Sequence, residues 1–259
     1  MSLAGHLYRS VFQSTAPQCP PRPWRTILRL PIIFDLVSLG LQLRDLGRLS
    51  RLTKDYVVED DYHRSVHDYN AGVTINKRIT VTRRAEEIYE ILAQPPRDLT
   101  KEQLLIVGPR NVAELYLGWL HGYRWRNIQA IDLYSMNPKI RPMNMEAMDF
   151  EDESFDALTM SATLAYAEDF ERAIGEVSRV LKPGGRFVFG HPYDPGSPEW
   201  PGNLVRASEI KGMLERCGFE IYFHTAVDKV NSAGDVQTTH RFGAVRTRGL
   251  DPVRDPLDF

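Results

Sequence analysis

A chain of 259 residues that is 42% hydrophobic can bury a full core, and one large domain with an extension is expected. Its 32 basic and 34 acidic residues leave a net charge of -2, too weak a global field to recruit nucleic acid. Cys19 and Cys217 have no metal-ligand or redox spacing, the start lacks a charged region followed by an apolar core, and the longest apolar stretch, broken by Arg29, Pro31, Asp35 and Gln42, falls short of a bilayer span. A reduced, cytoplasmic protein without a membrane span is therefore expected.

In chain order, residues 1 to 22 and the last ten are unpatterned, and the chain divides into an N-terminal helical arm or lid (1–97), a core (98–248) and a tail (249–259). Leucines 36, 39, 43 and 46 predict a helix from Ile32 to Leu52, with Arg44, Arg48 and Arg51 on its polar side. Residues 1–54 hold eight basic side chains (Arg9, Arg22, Arg25, Arg29, Arg44, Arg48, Arg51, Lys54) against Asp35 and Asp45, a balance of +6. Such an arm packs on the core with a solvated face, forms a homodimer surface, or makes peripheral contact with a membrane or anionic ligand.

Val73 to Val81 reads as a strand, and Thr82 caps a helix through Ile91 that Pro95-Pro96 ends. From Gln103 strands and helices alternate. Strands are expected at 104–107, 128–131, 157–160, 186–189, 219–223 and 241–247, with helices from Ala113, from Glu168 to Leu181 and from Ala207 to Cys217. This alternation implies a doubly wound, mostly parallel sheet. His63 and His67 share a helix face, as metal ligands can, but lack the zinc-protease glutamate; a helix face or substrate lid is preferred, and no metal is expected.

Ligands of such sheets bind at the carboxyl ends of the strands where strand order reverses, which directs attention to the first strand and its loop, Gly108-Pro109-Arg110-Asn111-Val112-Ala113-Glu114. The following helix aims its first amides at a bound group. Asp132 and Leu133 end the second strand, where a carboxylate accepts hydrogen bonds from two ribose hydroxyls. Asn144 and Met145 follow, an amide and a thioether able to grip an adenine ring. Further on, Pro183 and Gly184 supply the dihedrals of a tight turn.

In order and spacing these elements resemble the class I S-adenosylmethionine-dependent methyltransferase superfamily over about Leu104 to Gly190. The most specific piece is Ser154-Phe155-Asp156 followed by Arg179-Val180-Leu181-Lys182-Pro183-Gly184-Gly185. The resemblance implies a seven-stranded Rossmann-like fold, S-adenosylmethionine as cofactor, and methyl transfer to a small-molecule acceptor, most readily a hydroxyl oxygen. It implies cofactor contacts from Gly108, Pro109, Arg110, Glu114, Asp132, Leu133, Asn144, Met145 and Ser161, with Tyr69 in a segment that folds over the site. Asn144 stands where the family more often has aspartate. In the first loop, Ile106 replaces the family's acid, and Arg110 and Val112 replace two glycines; Arg110 is positioned to pair with the cofactor's carboxylate and Glu114 with its ammonium.

If the acceptor is a hydroxyl, a base helps, and His191 comes first with Tyr166 second; each is equally readable as a satisfied polar residue of a substrate-side loop. One rival is a protein of this fold that does not methylate and serves as an interaction module or a different enzyme. Another is a nicotinamide dehydrogenase, which would need the Gly-x-Gly-x-x-Gly that this chain lacks.

Overall fold

The computed structural model describes residues 23–46, 54–55, 60–76, 85–94, 97–109, 111–135, 137–192, 205–230 and 236–247. Two helices, α1 (Pro23–Leu28) and α2 (Pro31–Leu46), precede a short strand β1 (Lys54–Asp55), a long helix α3 (Asp61–Asn76) and α4 (Glu86–Leu92). Strands and helices then alternate: β2 (Leu104–Val107), α5 (Val112–Leu120), β3 (Ile128–Asp132), β4 (Tyr134–Ser135), β5 (Ile140–Pro142), β6 (Phe155–Ser161), α6 (Phe170–Val180) and β7 (Leu181–Pro192). The last elements are α7 (Ala207–Arg216), β8 (Phe219–Val230) and β9 (Val236–Arg246). No helix among these residues is long and apolar enough to cross a membrane.

Seven strands form one sheet in the order β5-β3-β2-β6-β7-β9-β8, in which β9 alone runs against its neighbours; β1 and β4 pair separately. The central strand is the unbroken apolar run Leu104-Leu105-Ile106-Val107, every residue of it buried, as expected where helices cover both faces. On one face Leu105, Val107, Leu158, Phe187 and Phe189 pack with Ile174 and Val177 of α6 and Leu214 of α7. On the other, Leu104, Ile106, Ala130 and Val188 pack with Tyr89 and Leu92 of α4 and Leu115 of α5. Because β2 lies between β3 and β6, strand order reverses there, and the crevice falls at the carboxyl ends of β2 and β6.

Three expectations are corrected. Val73 to Asn76 finish α3 instead of starting a strand; extending an existing helix adds a hydrogen bond per residue without a nucleation cost, which outweighs the weak β preference of Val73, Thr74 and Ile75. The rest of that segment, with Thr82, Pro95 and Pro96, lies outside the described residues. The last two strands run 12 and 11 residues, well beyond the expected 219–223 and 241–247, because their distal halves are polar and carry no core-facing alternation.

The third correction concerns α2. Its buried face is Phe34, Ser38, Gln42 and Asp45, while Leu36 and Leu43 are exposed, the reverse of what the leucine spacing predicts. The partner surface decides it: Phe34 stacks on Tyr116 with centroids 5.7 Å apart, and the Asn137 amide donates to Asp45 at 2.5 Å. Arg25 and Arg29 of α1 and the α1–α2 turn donate to the carbonyls of Trp119 and Leu120, each at 2.9 Å, satisfying the last turn of α5 and its dipole.

At the opposite end of the sheet from the crevice, Arg186 is 1% exposed and donates to Glu102 at 2.5 Å and to the Leu92 carbonyl, while the Tyr123 hydroxyl donates to the same carboxylate at 3.2 Å. Burial pushes the Glu102 carboxyl above its ordinary range, and Arg186 pulls against it. Removing one partner leaves the other charge buried and unmatched. Glu102→Ala is therefore expected to lose about 3–5 kcal/mol in urea unfolding; a loss under about 1 kcal/mol would mean the pair is solvated.

Candidate functional site

Two left-handed residues meet at the crevice. Gly108 has φ +68°, and a Cβ there would come within 2.2 Å of the Thr163 side chain, so both backbone and space require glycine. Its amide donates to the Ile131 carbonyl at 2.8 Å, and the Thr163 hydroxyl donates to its carbonyl at 3.3 Å. Across the crevice, just after Ser161 ends β6, Ala162 has φ +64° and donates to the Gly190 carbonyl at 3.0 Å. A non-glycine residue held there costs about 1 kcal/mol or more, and such strain concentrates where backbone geometry serves a site.

Beyond Gly108, Pro109 is buried and Arg110 lies outside the described residues. Asn111 caps α5, its side chain accepting from the Ala113 amide at 2.9 Å. Glu114, in the first turn of α5, is 1% exposed, and its carbonyl accepts from the Tyr89 hydroxyl at 3.2 Å. Burial and the Glu114 charge both drive the Tyr89 phenol upward. Glu114 thus sits beneath the loop, not on an open surface.

Asp132 and Leu133 are half-buried at the end of β3, and the Asp132 carbonyl accepts from the Met143 amide at 2.9 Å. Asn144 is half-buried and Met145 is buried. The loop that carries them is pinned from below. Arg179 donates to the carbonyls of Met148 and Phe150, to Asp152 and to Glu176, all at 2.7 Å. Lys182 donates to Asp156 at 2.8 Å. The most specific sequence signature is therefore scaffolding for the site, not its chemistry.

Helix α3 covers the crevice's rim. The Tyr69 ring lies 6.3 Å from that of Tyr166, and the Tyr62 hydroxyl donates to the Ala167 carbonyl at 3.3 Å. His63 and His67 have different partners: His67 pairs with Asp68 and meets the Tyr134 ring edge-on. His63 turns inward, its Nδ1 on Asp60 at 2.6 Å and its Nε2 3.1 Å from the Asn144 amide nitrogen and 3.4 Å from Glu146. Glu146, 5% exposed, accepts the amides of Glu168 at 2.7 Å and Asp169 at 3.3 Å.

The sequence reading missed Thr163, Glu146 and the inward role of His63. Glu146, an acid two residues past Asn144 in an otherwise apolar run, was the one available signal.

The candidate bases differ in setting. His191 is fully buried at the end of β7, against the Phe170 ring and with Nε2 donating to the Val205 carbonyl at 3.1 Å; its Nδ1 has no hydrogen-bond partner among the described residues. Burial lowers its pKa to about 4, with His240 adding to the fall and the Val205 carbonyl opposing it. Tyr166 is half-buried in a 3₁₀ turn beside Tyr69.

Burial would lower the His63 pKa, but hydrogen bonds and charge from Asp60 and Glu146 prevail and raise it. The neutral ring donates from Nδ1 to Asp60 and accepts at Nε2 from Asn144, whereas the protonated ring donates from Nε2 to Glu146. A raised folded pKa stabilises fully below the unfolded value of about 6.5 and fades as pH rises through the folded value. His63→Gln is accordingly expected to lower the melting temperature most below about pH 6.5, with the gap to wild type narrowing at higher pH; a constant gap from pH 5 to 9 would exclude this linkage.

Residues 125–189 match the family described as methyltransferase domain, a segment that starts past the divergent first loop. The chain is 33% identical over 109 residues to the ubiquinone/menaquinone biosynthesis C-methyltransferase UbiE of Hahella chejuensis, covering 38% of this chain and 41% of that protein. It therefore spans about two fifths of that relative. Among solved structures, the Burkholderia thailandensis 1,6-didemethyltoxoflavin-N1-methyltransferase, with bound substrate and S-adenosylhomocysteine, superposes with TM-score 0.54 at 15% identity, over 76% of this chain and 94% of that one. A candidate methyltransferase from Bacillus halodurans superposes with TM-score 0.51 at 15% identity, over 63% of this chain and 98% of that one. The sequence from residue 125 to 189 is thus similar to a methyltransferase domain, and the sheet has the fold of the S-adenosylmethionine-dependent methyltransferases it superposes on.

Proposed function

We propose that this chain methylates a small molecule carrying an ionisable hydroxyl, with S-adenosylmethionine as donor. The observation that carries the reading is the convergence on one crevice of the Asp132 strand end, the Asn144–Met145 loop and the two left-handed residues Gly108 and Ala162. The donor set suits the cofactor: a carboxylate for a ribose diol, an amide and a buried thioether for adenine, and backbone at Gly108 that carries no side chain of its own. Arg110 and Glu114 are assigned to its amino-acid end by charge. When bound, the cofactor supplies an electrophilic methyl group, whose transfer leaves the C–S electron pair on sulfur.

The chain's own part is to hold the acceptor in line, exclude water and receive a proton. Alignment alone provides much of the acceleration, and α3, closing with Tyr69 over Tyr166, excludes water. A conjugate acid near pKa 4 makes a weak proton acceptor at neutral pH, and the His191 ring is fully buried. Tyr166, half-buried beside Tyr69, takes first place by access and not by basicity, its phenol oxygen accepting a hydrogen bond from the acceptor hydroxyl. Loss of the proton from that hydroxyl enriches both its oxygen and a conjugated ring carbon in electron density, so one site serves either atom. Oxygen is our assignment; the Hahella relative is named for C-methylation and the Burkholderia structure for N1-methylation.

The alternative, a protein of this fold that does not methylate, rests on the two lost loop glycines and on the Asn144 amide already facing His63. Calorimetric titration with S-adenosylmethionine and S-adenosylhomocysteine separates the two, since silence with both ligands leaves only the alternative. Asp132→Ala is expected to weaken cofactor affinity about tenfold or more; unchanged affinity would remove Asp132 from the ribose. Tyr166→Phe is expected to lower turnover about 100-fold with cofactor affinity intact, and wild-type turnover in that variant would strike Tyr166 from the mechanism.

A further inference from the structure

Seven large apolar side chains are exposed among the described residues, and four of them, Ile27, Ile32, Leu36 and Leu43, fall on α1 and α2. On α2 the spacings of four and seven residues put Ile32, Leu36 and Leu43 within about 40° of one another around the helix axis. They form one stripe, 70%, 63% and 50% exposed, on the side opposite Phe34, Ser38, Gln42 and Asp45. A single exposed leucine is ordinary; a stripe along an otherwise docked helix marks a surface awaiting an occupant.

Charge selects the occupant. Residues 1–54 carry eight basic and two acidic side chains, +6, so the remaining 24 basic and 32 acidic residues carry -8 and the whole is -2. Arg25 and Arg29 are turned inward to carbonyls of α5. Arg44 is half-exposed beside the stripe, and in sequence Arg22 precedes α1 while Arg48, Arg51 and Lys54 follow α2. Asp35 is the one acid on the exposed side of the helix. A symmetric dimer through this face would set one basic arm against another, since a two-fold interface presents the same patch twice. An anionic bilayer instead meets the apolar stripe with acyl chains, and its headgroup phosphates suit Arg44 and the cations that adjoin these helices in sequence.

We propose that α1 and α2 dock this protein in-plane on an anionic membrane surface, with Ile32, Leu36 and Leu43 entering the headgroup–acyl boundary. The buried face of α2 stays on α5, so docking needs no unfolding of the helix. This inference does not depend on cofactor binding, and neither one's failure implies the other's.

The test is co-sedimentation of the full chain with vesicles of phosphatidylcholine containing about one quarter phosphatidylglycerol, against phosphatidylcholine alone. Binding to the anionic vesicles is expected, at least about tenfold stronger than to neutral ones and weakening as salt is raised. The double variant Ile32→Asp/Leu36→Asp alters only exposed side chains and should keep its circular dichroism spectrum while losing about tenfold or more in vesicle affinity. Should it fail to fold, Arg48→Glu/Arg51→Glu tests the cationic half and is expected to abolish the preference for anionic vesicles. The proposal is overturned if the wild-type chain ignores both vesicles, if either variant binds like wild type, or if light scattering reveals a dimer that Ile32→Asp/Leu36→Asp dissociates.

Discussion

The site depends on one buried carboxylate. Glu146 takes the backbone amides of Glu168 and Asp169 on its two oxygens, and its own carbonyl takes Arg172 Nε at 3.0 Å. Burying such a charge is costly unless its lone pairs are filled, and here they are filled by the very segments that need positioning. The loop after β5, which carries Asn144 and Met145, is thereby fastened to the loop after β6, which carries Tyr166. Where His63 also reaches Glu146, the covering helix α3 joins the same node. Three pieces of chain far apart in sequence acquire a fixed relation through side-chain and backbone hydrogen bonds to a single residue.

Below that node, Arg179 fastens the other end of the same loop. Its guanidinium serves two carbonyls and two carboxylates, and hydrogen bonds with Glu176 and Asp152 hold its charge firmly in place, raising its pKa against the pull of burial. Lysine has no planar fork to satisfy so many acceptors at once. The Asp156–Lys182 pair then sets β6 against the start of β7, with Asp156 also accepting the Gln103 amide at 2.8 Å. The most recognisable stretch of sequence is recognisable because it solves a scaffolding problem: the loop must be rigid for Asn144 and Met145 to be useful.

What could be read from the chain follows from this division. The buried strands were legible because a strand covered on both faces is an uninterrupted apolar run, as at Leu104 to Val107. Helix α6 was legible from its period, and Gly184, with φ +75°, from the turn chemistry around it. The face of α2 was not, because leucine spacing reports which residues could be buried, not which surface they meet; Tyr116 and Asn137 chose the other side. Nor was His63 against Asn144, 81 residues apart, or Thr163 against Gly108, 55 apart. Such contacts are set by topology and leave no local period.

The last of these pairs explains why one glycine survives in the first loop. Glycines in such loops serve two needs, a positive φ and room for another atom to approach the backbone. At Gly108 both needs are present, and the approaching atoms belong to Thr163 of the protein itself. Three residues on, Asn111 has an extended backbone, with φ -162°, and uses its side chain to cap the helix. Any residue can adopt that conformation, so the positive-φ requirement does not extend past Gly108 to that position, and a side chain that caps adds a hydrogen bond glycine cannot supply. The loop reads as degenerate only against a pattern in which glycine does both jobs at every position. Among the described residues of the loop the positive φ falls at Gly108, the helix start is assigned to Asn111, and the buried Glu114 adds negative charge near the positive end of the α5 dipole, where it is stabilised.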